Sequence, residues 1–260
     1  MADGRIITVF AAKGGCGKTT VATNLATVLH DRGAHRVCLL DLDLEFGDAA
    51  GMLGLRPERS MVDALPAADQ LTPETVASLM TTYLPGFDCL LAPTRPGDAQ
   101  RIPASLVSRL LAVLPLVYDF VVVDTPSSFG ANVLAALDLA DHQILVTTPE
   151  RPALKNLRVT LDMLDLLPYD RTARSIVVNR SDARSDLPTL LLDELVRSPI
   201  AGHLPTWDGV PASINRGEPL AAAQPDHEVS RAIRQLAATV LPSDGRCSRD
   251  PPPGQNQPST

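Results

Sequence analysis

Residues 5–20 read RIITVFAAKGGCGKTT, an apolar β-branched run followed by a glycine-rich turn and the start of a helical pattern. The glycines remove side chains from the turn, so the backbone can curl with its N–H groups pointing inward at the positive end of the following helix. Such a turn is an anion nest: Lys18 adds a charge for terminal phosphates, and the Thr19 hydroxyl is placed to ligate Mg²⁺. The predicted phosphate contacts come from the turn and the first helical residues: Gly14, Gly15, Cys16, Gly17, Lys18, Thr19 and Thr20.

Strand-like and helix-like segments alternate along most of the chain. Short apolar runs predict strands over 5–11, 36–42, 88–92, 119–124, 143–147 and 175–179. Helical patterns fall between them, over 19–32, 73–82, 103–114, 131–140 and 153–167. Several strands are apolar on consecutive residues, which is typical of strands buried on both faces. The sequence therefore predicts an α/β fold with a mainly parallel central sheet and helices on both of its faces.

Three segments lie outside this alternation. Residues 54–70 are irregular and marked by proline, which predicts a loop with a short helix. A last helix over 228–241 has one apolar face and only two cations, Arg231 and Arg234, so packing against the sheet is favoured over a membrane-surface helix. Residues 242–260 are rich in Pro, Ser, Gly and Gln and predict a disordered tail. We expect one domain over 1–241, followed by this tail.

Composition argues against several classes of protein. The 23 Lys and Arg residues stand against 30 Asp and Glu, a net charge of −7, which is unfavourable for broad binding to nucleic-acid backbones. The longest apolar runs, such as 110–117, are far shorter than the roughly 18 residues that span a bilayer, and the N-terminus shows no signal segment. The four cysteines are widely separated, without CxxC spacing, so we expect a cytoplasmic protein with neither a disulfide framework nor a cysteine metal site.

Three aspartates stand at the ends of predicted strands. Asp41 and Asp43 lie in LDLDLEFGD, residues 40–48, and strand alternation puts both on one face at the carboxyl end of the sheet, where α/β folds bind ligands. Asp124 ends the apolar run of YDFVVVDTP, residues 118–126. A single aspartate in such a place is also a common helix N-cap or turn former. Three of them after a phosphate loop favour a role in ligand binding.

The phosphate loop departs from the pattern GxxxxGK[ST], because Ala12 stands where the first glycine belongs. It carries a second lysine instead, Lys13, in the arrangement KGGxGKT. This resembles the deviant Walker A motif of the MinD/ParA group of P-loop ATPases. The resemblance implies an ATPase that binds ATP and Mg²⁺, with Lys18 on the triphosphate. It also implies a homodimer in the ATP state, in which Lys13 reaches across a nucleotide sandwich to the partner's phosphates. The alternative for Lys13 is a solvated lysine in the loop.

The same resemblance assigns roles to the three aspartates. It places Asp41 near the Mg²⁺ shell, makes Asp43 the residue that orients the attacking water, and makes Asp124 a Walker B-like residue that holds Mg²⁺ through water. Together with Lys13 and Lys18, Asp43 is therefore a candidate catalytic residue. Hydrolysis is expected to be slow, because the lifetime of the dimer is the useful output of such switches.

Four further stretches resemble one branch of that group. They are LDLEFGD at 42–48, TTPERPALKN at 147–156, VVNRSD at 177–182 and VPASINRGEPL at 210–220. They are similar to the CpaE/TadZ branch, which is associated with pilus assembly and polar placement. This resemblance implies protein partners in a pilus or secretion machinery and recruitment by them to the membrane or cell pole. Many CpaE proteins carry an N-terminal receiver-like domain, whereas this sequence begins at the ATPase strand.

The site for the base is predicted from two places. Asn179 ends a strand and matches the position whose side-chain amide recognises adenine in the resembling family, since an amide both donates and accepts; the alternative is a turn residue after the strand. The stretch LPTWD, residues 204–208, resembles the segment that closes over the base and contributes Asp208. Trp207 could stack on the base or simply pack. Cys16 could sense redox state or be a small residue tolerated in the loop.

Competing functions share this site chemistry. A ParA-type DNA-partitioning ATPase would need a basic face, and one cluster of arginines is interspersed with aspartates: Arg171, Arg174, Arg180 and Arg184 with Asp170, Asp182 and Asp186. That mixture is typical of a solvated surface, so nonspecific DNA binding is possible without being favoured. A scaffold that binds nucleotide without hydrolysing it is a second alternative. No direct membrane anchor is expected, because the tail has no basic amphipathic helix.

Overall fold

The described residues form one eight-stranded sheet. The structure is a computed structural model that describes residues 4–181, 196 and 198–241. The strands are β1 Arg5–Phe10, β2 Val37–Asp41, β3 Thr81–Leu84, β4 Phe87–Leu90, β5 Phe120–Asp124, β6 His142–Thr147, β7 Arg174–Asn179 and β8 Ile200–Leu204. Their order across the sheet is β3-β4-β2-β5-β1-β6-β7-β8. Every pair is parallel except β3 with β4, which is antiparallel, so the predicted mainly parallel α/β sheet is confirmed.

Helices cover both faces of this sheet. They are α1 Lys18–His30, α2 Asp48–Met52, α3 Pro73–Ala77, α4 Ala104–Val113, α5 Ala131–Asp138, α6 Arg151–Leu164, α7 Val210–Asn215, α8 Leu220–Ala223 and α9 Glu228–Val240. The segment predicted to be irregular contains a 3₁₀ run, Met61–Gln70, which begins at a capping box on Ser60. Both the helices and the strands follow the sequence prediction closely, with ends shifted by one to three residues for most elements.

The core lies in two layers, one on each side of the sheet. All residues of β2, β5 and β6 are buried, which explains why these strands are apolar at consecutive positions. On one face, Val9 and Val122 pack with Leu25 of α1 and Ile233 of α9. The opposite face is covered by α4, α5 and α6, whose apolar stripes join two further buried clusters. Burial on both faces holds the carboxyl ends of the central strands in fixed positions.

The predicted helix over 73–82 is wrong in its second half. Helix α3 begins with Pro73 after the N-cap Thr72 and ends at Ala77. The chain then enters β3, an edge strand whose residues alternate between half-buried and exposed, and returns through a turn in which Gly86 has a φ of 84°. Val76 and Leu79 are buried, and their spacing made the apolar pattern look helical beyond its real end.

The last helix packs as predicted. The five residues expected on its apolar face are all buried: Val229, Ile233, Leu236, Ala237 and Val240. This stripe lies against α1 and β8, so the helix belongs to the sheet's cover. The predicted tail over 242–260 lies outside the described residues, as do Asp182, Arg184 and Asp186.

The topology creates a crevice beside β1. The chain passes from β1 through α1 to β2 on one side, while β6, β7 and β8 extend the sheet on the other side. Ligands of open α/β sheets bind outside the carboxyl ends of the strands where the direction of winding reverses. The turn between β1 and α1, together with the last residues of β2 and β5, lies at this place.

Candidate functional site

The glycine turn is open on its outer side. Gly17 caps α1 in the left-handed region, with a φ of 89°, and Gly15 also has a positive φ of 77°. Gly14 and Gly15 are exposed, and no atom outside its chain neighbours lies within 4 Å of the position where a Cβ of Gly15 would be. The turn thus has the conformation that a nest of N–H groups requires, at the start of a 13-residue helix.

Lys18 lies inside this turn with only 8% of its surface exposed. Its Nζ donates a hydrogen bond to Oγ of Ser127, at 2.8 Å, in the segment that follows β5. Sequence reasoning did not identify Ser127, which is 109 residues away; its position three residues after Asp124 was the available signal. The ammonium is therefore held at the mouth of the crevice, where terminal phosphates of a nucleotide would lie.

Asp41 and Asp124 form a pair of buried carboxylates. They are register partners at the ends of β2 and β5, with 0% and 1% of their surfaces exposed. Burial raises the pKa of Asp41 well above its usual range, and repulsion from Asp124 adds to the shift. Burial also raises the pKa of Asp124 to about 7, against the opposing effects of Thr19 and Lys18.

The two carboxylates differ in their hydrogen bonds. Asp41 accepts backbone N–H bonds from Asp43 at 3.0 Å and from Ala49 at 3.3 Å, so it shapes the loop after β2. The Thr19 hydroxyl lies close enough to Asp124 to lower its pKa, but neither oxygen of Asp124 has a partner at normal hydrogen-bond distance among the described residues. A buried carboxylate with both oxygens unpaired fits a hydrated divalent cation. Among the described residues no three His, Cys, Asp or Glu side chains form a metal cluster, and Mg²⁺ sites with one or two carboxylates, waters and phosphates do not need one.

Asp43 lies on the loop between β2 and α2, next to the same crevice. The loop is closed by a hydrogen bond from Gly47 N to Asp43 O at 2.8 Å, with Gly47 at a φ of 64°. Partial burial raises the pKa of Asp43, while Lys18 lowers it. The structure therefore brings together Lys18, Thr19 and Asp43 around one cavity of about 1040 Å³, with Asp124 buried behind it. From strand alternation we predicted that Asp41 and Asp43 lie on the same face of one strand. In the structure β2 ends at Asp41, and Asp43 belongs to the following loop.

A second cavity of about 300 Å³ adjoins the first. Its lining includes Thr20, Asn179, Trp207 and Asp208, and Gly17 lines both cavities. Asn179 donates an amide hydrogen bond to Cys16 O at 2.8 Å, which ties the end of β7 to the glycine turn. An apolar cavity with an amide and a carboxylate at its edge, next to a phosphate site, is suited to a purine base.

Comparison with known proteins identifies the family of this chain. The sequence profile of the ParA family, described as NUBPL iron-transfer P-loop NTPase, matches residues 4–183. The chain belongs to the ParA family of P-loop NTPases. It is 32% identical over 227 residues to the septum site-determining protein MinD of Synechocystis sp., with 83% of this chain and 81% of that protein covered.

Solved structures of ParA-family proteins share the fold. A ParA family ATPase from Chlorobium tepidum superposes with a TM-score of 0.84 at 24% identity, covering 90% of this chain and 98% of that one. The septum site-determining protein MinD from Pyrococcus horikoshii, solved as a complex with Mg-ADP, superposes with a TM-score of 0.76 at 22% identity, covering 90% and 94%. At these identities the likeness shows a common ParA-type fold.

Two cations near the ParA-family site have neighbours that the sequence did not indicate. Arg180 lines both cavities and adopts a left-handed backbone, with a φ of 55°. The pKa of Glu150 is lowered, first by a hydrogen bond from the Thr148 hydroxyl and further by Lys13 and Arg180. Lys13 thus lies near an acid of its own chain. Cys16 is buried, with its Sγ 3.9 Å from the Thr148 hydroxyl oxygen, which favours the packing alternative over an accessible redox thiol.

Replacing Gly17 with alanine is expected to impair nucleotide binding strongly. A Cβ at this position would overlap the Asn179 amide nitrogen, and the positive φ would add strain for any other residue. We expect the affinity for ADP to fall by about tenfold or more, measured by titration calorimetry. Gly33→Ala is the matched control, because Gly33 also has a positive φ but no neighbour within 4 Å of the Cβ position. Equal losses of affinity in the two variants would contradict the steric explanation.

Proposed function

We propose that this chain is an ATP-dependent switch that binds Mg-ATP, dimerises around it and hydrolyses it slowly. The observation that carries the proposal is a buried lysine in the glycine turn together with a buried carboxylate, Asp124, that has no described partner at normal hydrogen-bond distance. Lys18 supplies positive charge for the phosphates, and Asp124, next to the Thr19 hydroxyl, supplies an oxygen ligand for the metal. The Mg-ADP in the Pyrococcus horikoshii MinD structure supports the choice of nucleotide and metal.

For ATP hydrolysis the protein has to position the nucleotide and the attacking water and to neutralise charge on the phosphates. Backbone N–H groups of residues 14–20 and the Lys18 ammonium hold the triphosphate. The Thr19 hydroxyl and Asp124 hold Mg²⁺, which would neutralise charge on the phosphate oxygens. Asp43, on its closed loop, aligns water for in-line attack, and its raised pKa suits a residue that accepts a proton. Asn179 and Asp208 hold the base in the smaller cavity.

The position of Lys13 supports the proposed dimerisation. Its loop is open on the outer side, and the side chain is only partly buried, near Glu150 of its own chain. In the proposed ATP state, Lys13 of each copy reaches the phosphates of the other, which couples nucleotide binding to assembly.

Removal of Lys13 is expected to abolish coupling between ATP and assembly. For Lys13→Ala we expect ATP hydrolysis to fall by about 100-fold or more, because a cation supplied across an interface has a comparable effect in other phosphoryl-transfer enzymes. Phosphate release and sedimentation velocity with Mg-ATP measure the two properties. The matched control is Lys155→Ala, since Lys155 is an exposed lysine on α6. Wild-type hydrolysis and dimerisation by Lys13→Ala would refute a role in trans.

The process served is proposed from the four stretches that resemble the CpaE/TadZ branch. We propose protein partners in a pilus or secretion machinery, which would recruit the chain to the inner face of the membrane or to a cell pole. Among the described residues, none of the helices has the length and apolar character needed to cross a bilayer. A pull-down that compares ATP-locked Asp43→Ala with nucleotide-free Lys18→Ala tests the proposal. Capture of septum-site proteins in place of pilus proteins by Asp43→Ala would contradict it.

Two of the arginines suggested for DNA binding are already paired. Arg171 and Arg174 both form ion pairs with Asp165, at 3.0 Å each, and the Arg174 side chain is only 6% exposed. A buried guanidinium cannot contact a phosphate backbone without leaving its partner. The Arg171 side chain stays 71% exposed, so it is the burial of Arg174 that supports the switch over a DNA-coating ATPase. Salt-sensitive binding of duplex DNA that appears only with ATP would reverse that preference.

A further inference from the structure

The loop that carries Asp43 also presents a large apolar side chain to solvent. Phe46 is 79% exposed, whereas Leu44 and Ala49 of the same segment are buried and anchor the loop to the core. Phe46 therefore contributes little to the stability of the single chain. An exposed phenylalanine at the rim of a functional cavity is the kind of residue that serves as an anchor in an interface.

The conformation of this loop fixes the direction of Phe46. Asp41 accepts hydrogen bonds from the backbone N–H groups of Asp43 and Ala49, on either side of the phenylalanine. The bond from Gly47 N to Asp43 O closes the turn between them at 2.8 Å. With both ends held, the ring is presented outward without a large loss of backbone entropy on binding.

The glycine turn on the same side of the molecule offers a complementary surface. Gly14 and Gly15 are exposed, and the atom nearest to a Cβ position on Gly14 is Ser127 Oγ at 4.0 Å. A surface without side chains allows an aromatic ring of another chain to approach the backbone closely. The charges also match, since exposed Glu45 precedes Phe46 and Lys13 precedes the glycines.

We propose that Phe46 is the apolar anchor of self-association: in the ATP state, the ring of each copy packs on the exposed glycine face of the other. This inference rests on the proposed dimeric switch, and it adds an apolar residue at the centre of each contact between the two copies. A two-fold contact uses the same patch on both copies, so each dimer contains two such anchors. The partner's ring also excludes water from the phosphate end of each site.

The test uses the full chain in the Asp43→Ala background with Mg-ATP, and sedimentation equilibrium gives the dimer dissociation constant. We expect Phe46→Ala to weaken the dimer by about tenfold to 100-fold, as for a central interface aromatic, while ADP affinity and thermal stability stay near those of the parent. Phe46→Leu, which keeps an apolar side chain, should lose much less. Leu166→Ala is the matched control, because Leu166 is 86% exposed just after α6, in the segment that leads to the amino end of β7, whereas Phe46 follows the carboxyl end of β2.

Each outcome decides between the two proposals. If Phe46→Ala dimerises within about twofold of the parent, or if Leu166→Ala loses as much, the anchor is refuted while the switch stands. If the Asp43→Ala parent binds ATP and stays monomeric, the proposed switch fails and the anchor falls with it.

Discussion

Replacing Lys18 with alanine is expected to abolish detectable binding of Mg-ATP. The ammonium is almost fully buried at the mouth of the crevice, and loss of a buried charge that pairs with a ligand phosphate costs about 3 kcal/mol or more, which is over a hundredfold in affinity. Titration with a fluorescent ATP analogue measures the effect. The loss should be equally large for ADP, because the lysine lies on the phosphate loop and acts before any partner arrives.

Two controls distinguish loss of the Lys18 charge from loss of the folded structure in that experiment. Ser127→Ala removes the hydroxyl that accepts the 2.8 Å hydrogen bond from Lys18 but leaves the ammonium in place, so its affinity should fall by less than about tenfold. Thermal unfolding of Lys18→Ala without nucleotide shows whether the chain still folds. A folded Lys18→Ala protein with ATP affinity within tenfold of wild type would overturn the assignment of the phosphate site.

Replacing Asp43 with alanine is expected to stop hydrolysis and to preserve ATP binding. The carboxylate lies on the crevice side of a closed loop, where it can align water, and removal of a general base typically lowers the rate by about 100-fold or more. The protein should then remain dimeric as long as ATP is present. Single-turnover phosphate release and light scattering after a rapid mix with ATP measure both properties.

The matched control for Asp43 is Asp48→Ala. Asp48 is an exposed aspartate five residues along the same loop, in the first turn of α2, and like Asp43 it contributes negative charge near the crevice. A loss of hydrolysis confined to Asp43→Ala shows a specific role for that carboxylate. Hydrolysis reduced equally in both variants would show that general negative charge on the loop matters and would end the assignment of Asp43 as the base.

The sequence predicted the central sheet and the phosphate turn because both depend on local patterns. Burial on both faces leaves consecutive apolar residues in β2 and β5, and the turn needs its glycines at fixed spacing. The edge strand β3 was not predicted, because a short strand at a sheet edge has weak alternation and its apolar residues continued a helical pattern from α3. The Pro85–Gly86 turn that follows β3 was the unused signal.

Contacts between residues that are far apart in the sequence could not be predicted from local patterns. The contact of Lys18 with Ser127 joins residues that only the complete sheet brings together. Asp41 accepts bonds from the loop backbone, whereas Asp124 has no described partner at normal hydrogen-bond distance; this difference depends on atomic positions that spacing does not determine. The position of Arg180 between the two cavities has the same origin, since it follows from the meeting of β7 with the glycine turn.

The paired carboxylates at the ends of β2 and β5 have a consequence for the fate of the protein in a cell. Two neighbouring carboxyl groups away from water oppose folding whenever no counter-ion is present, because they must either stay charged without solvent or take up a proton. Any cation that neutralises them adds its free energy of binding to the free energy of unfolding. The empty chain is then the form that proteases degrade first. The abundance of the protein would then rise and fall with the supply of magnesium nucleotide, independently of how fast the gene is expressed.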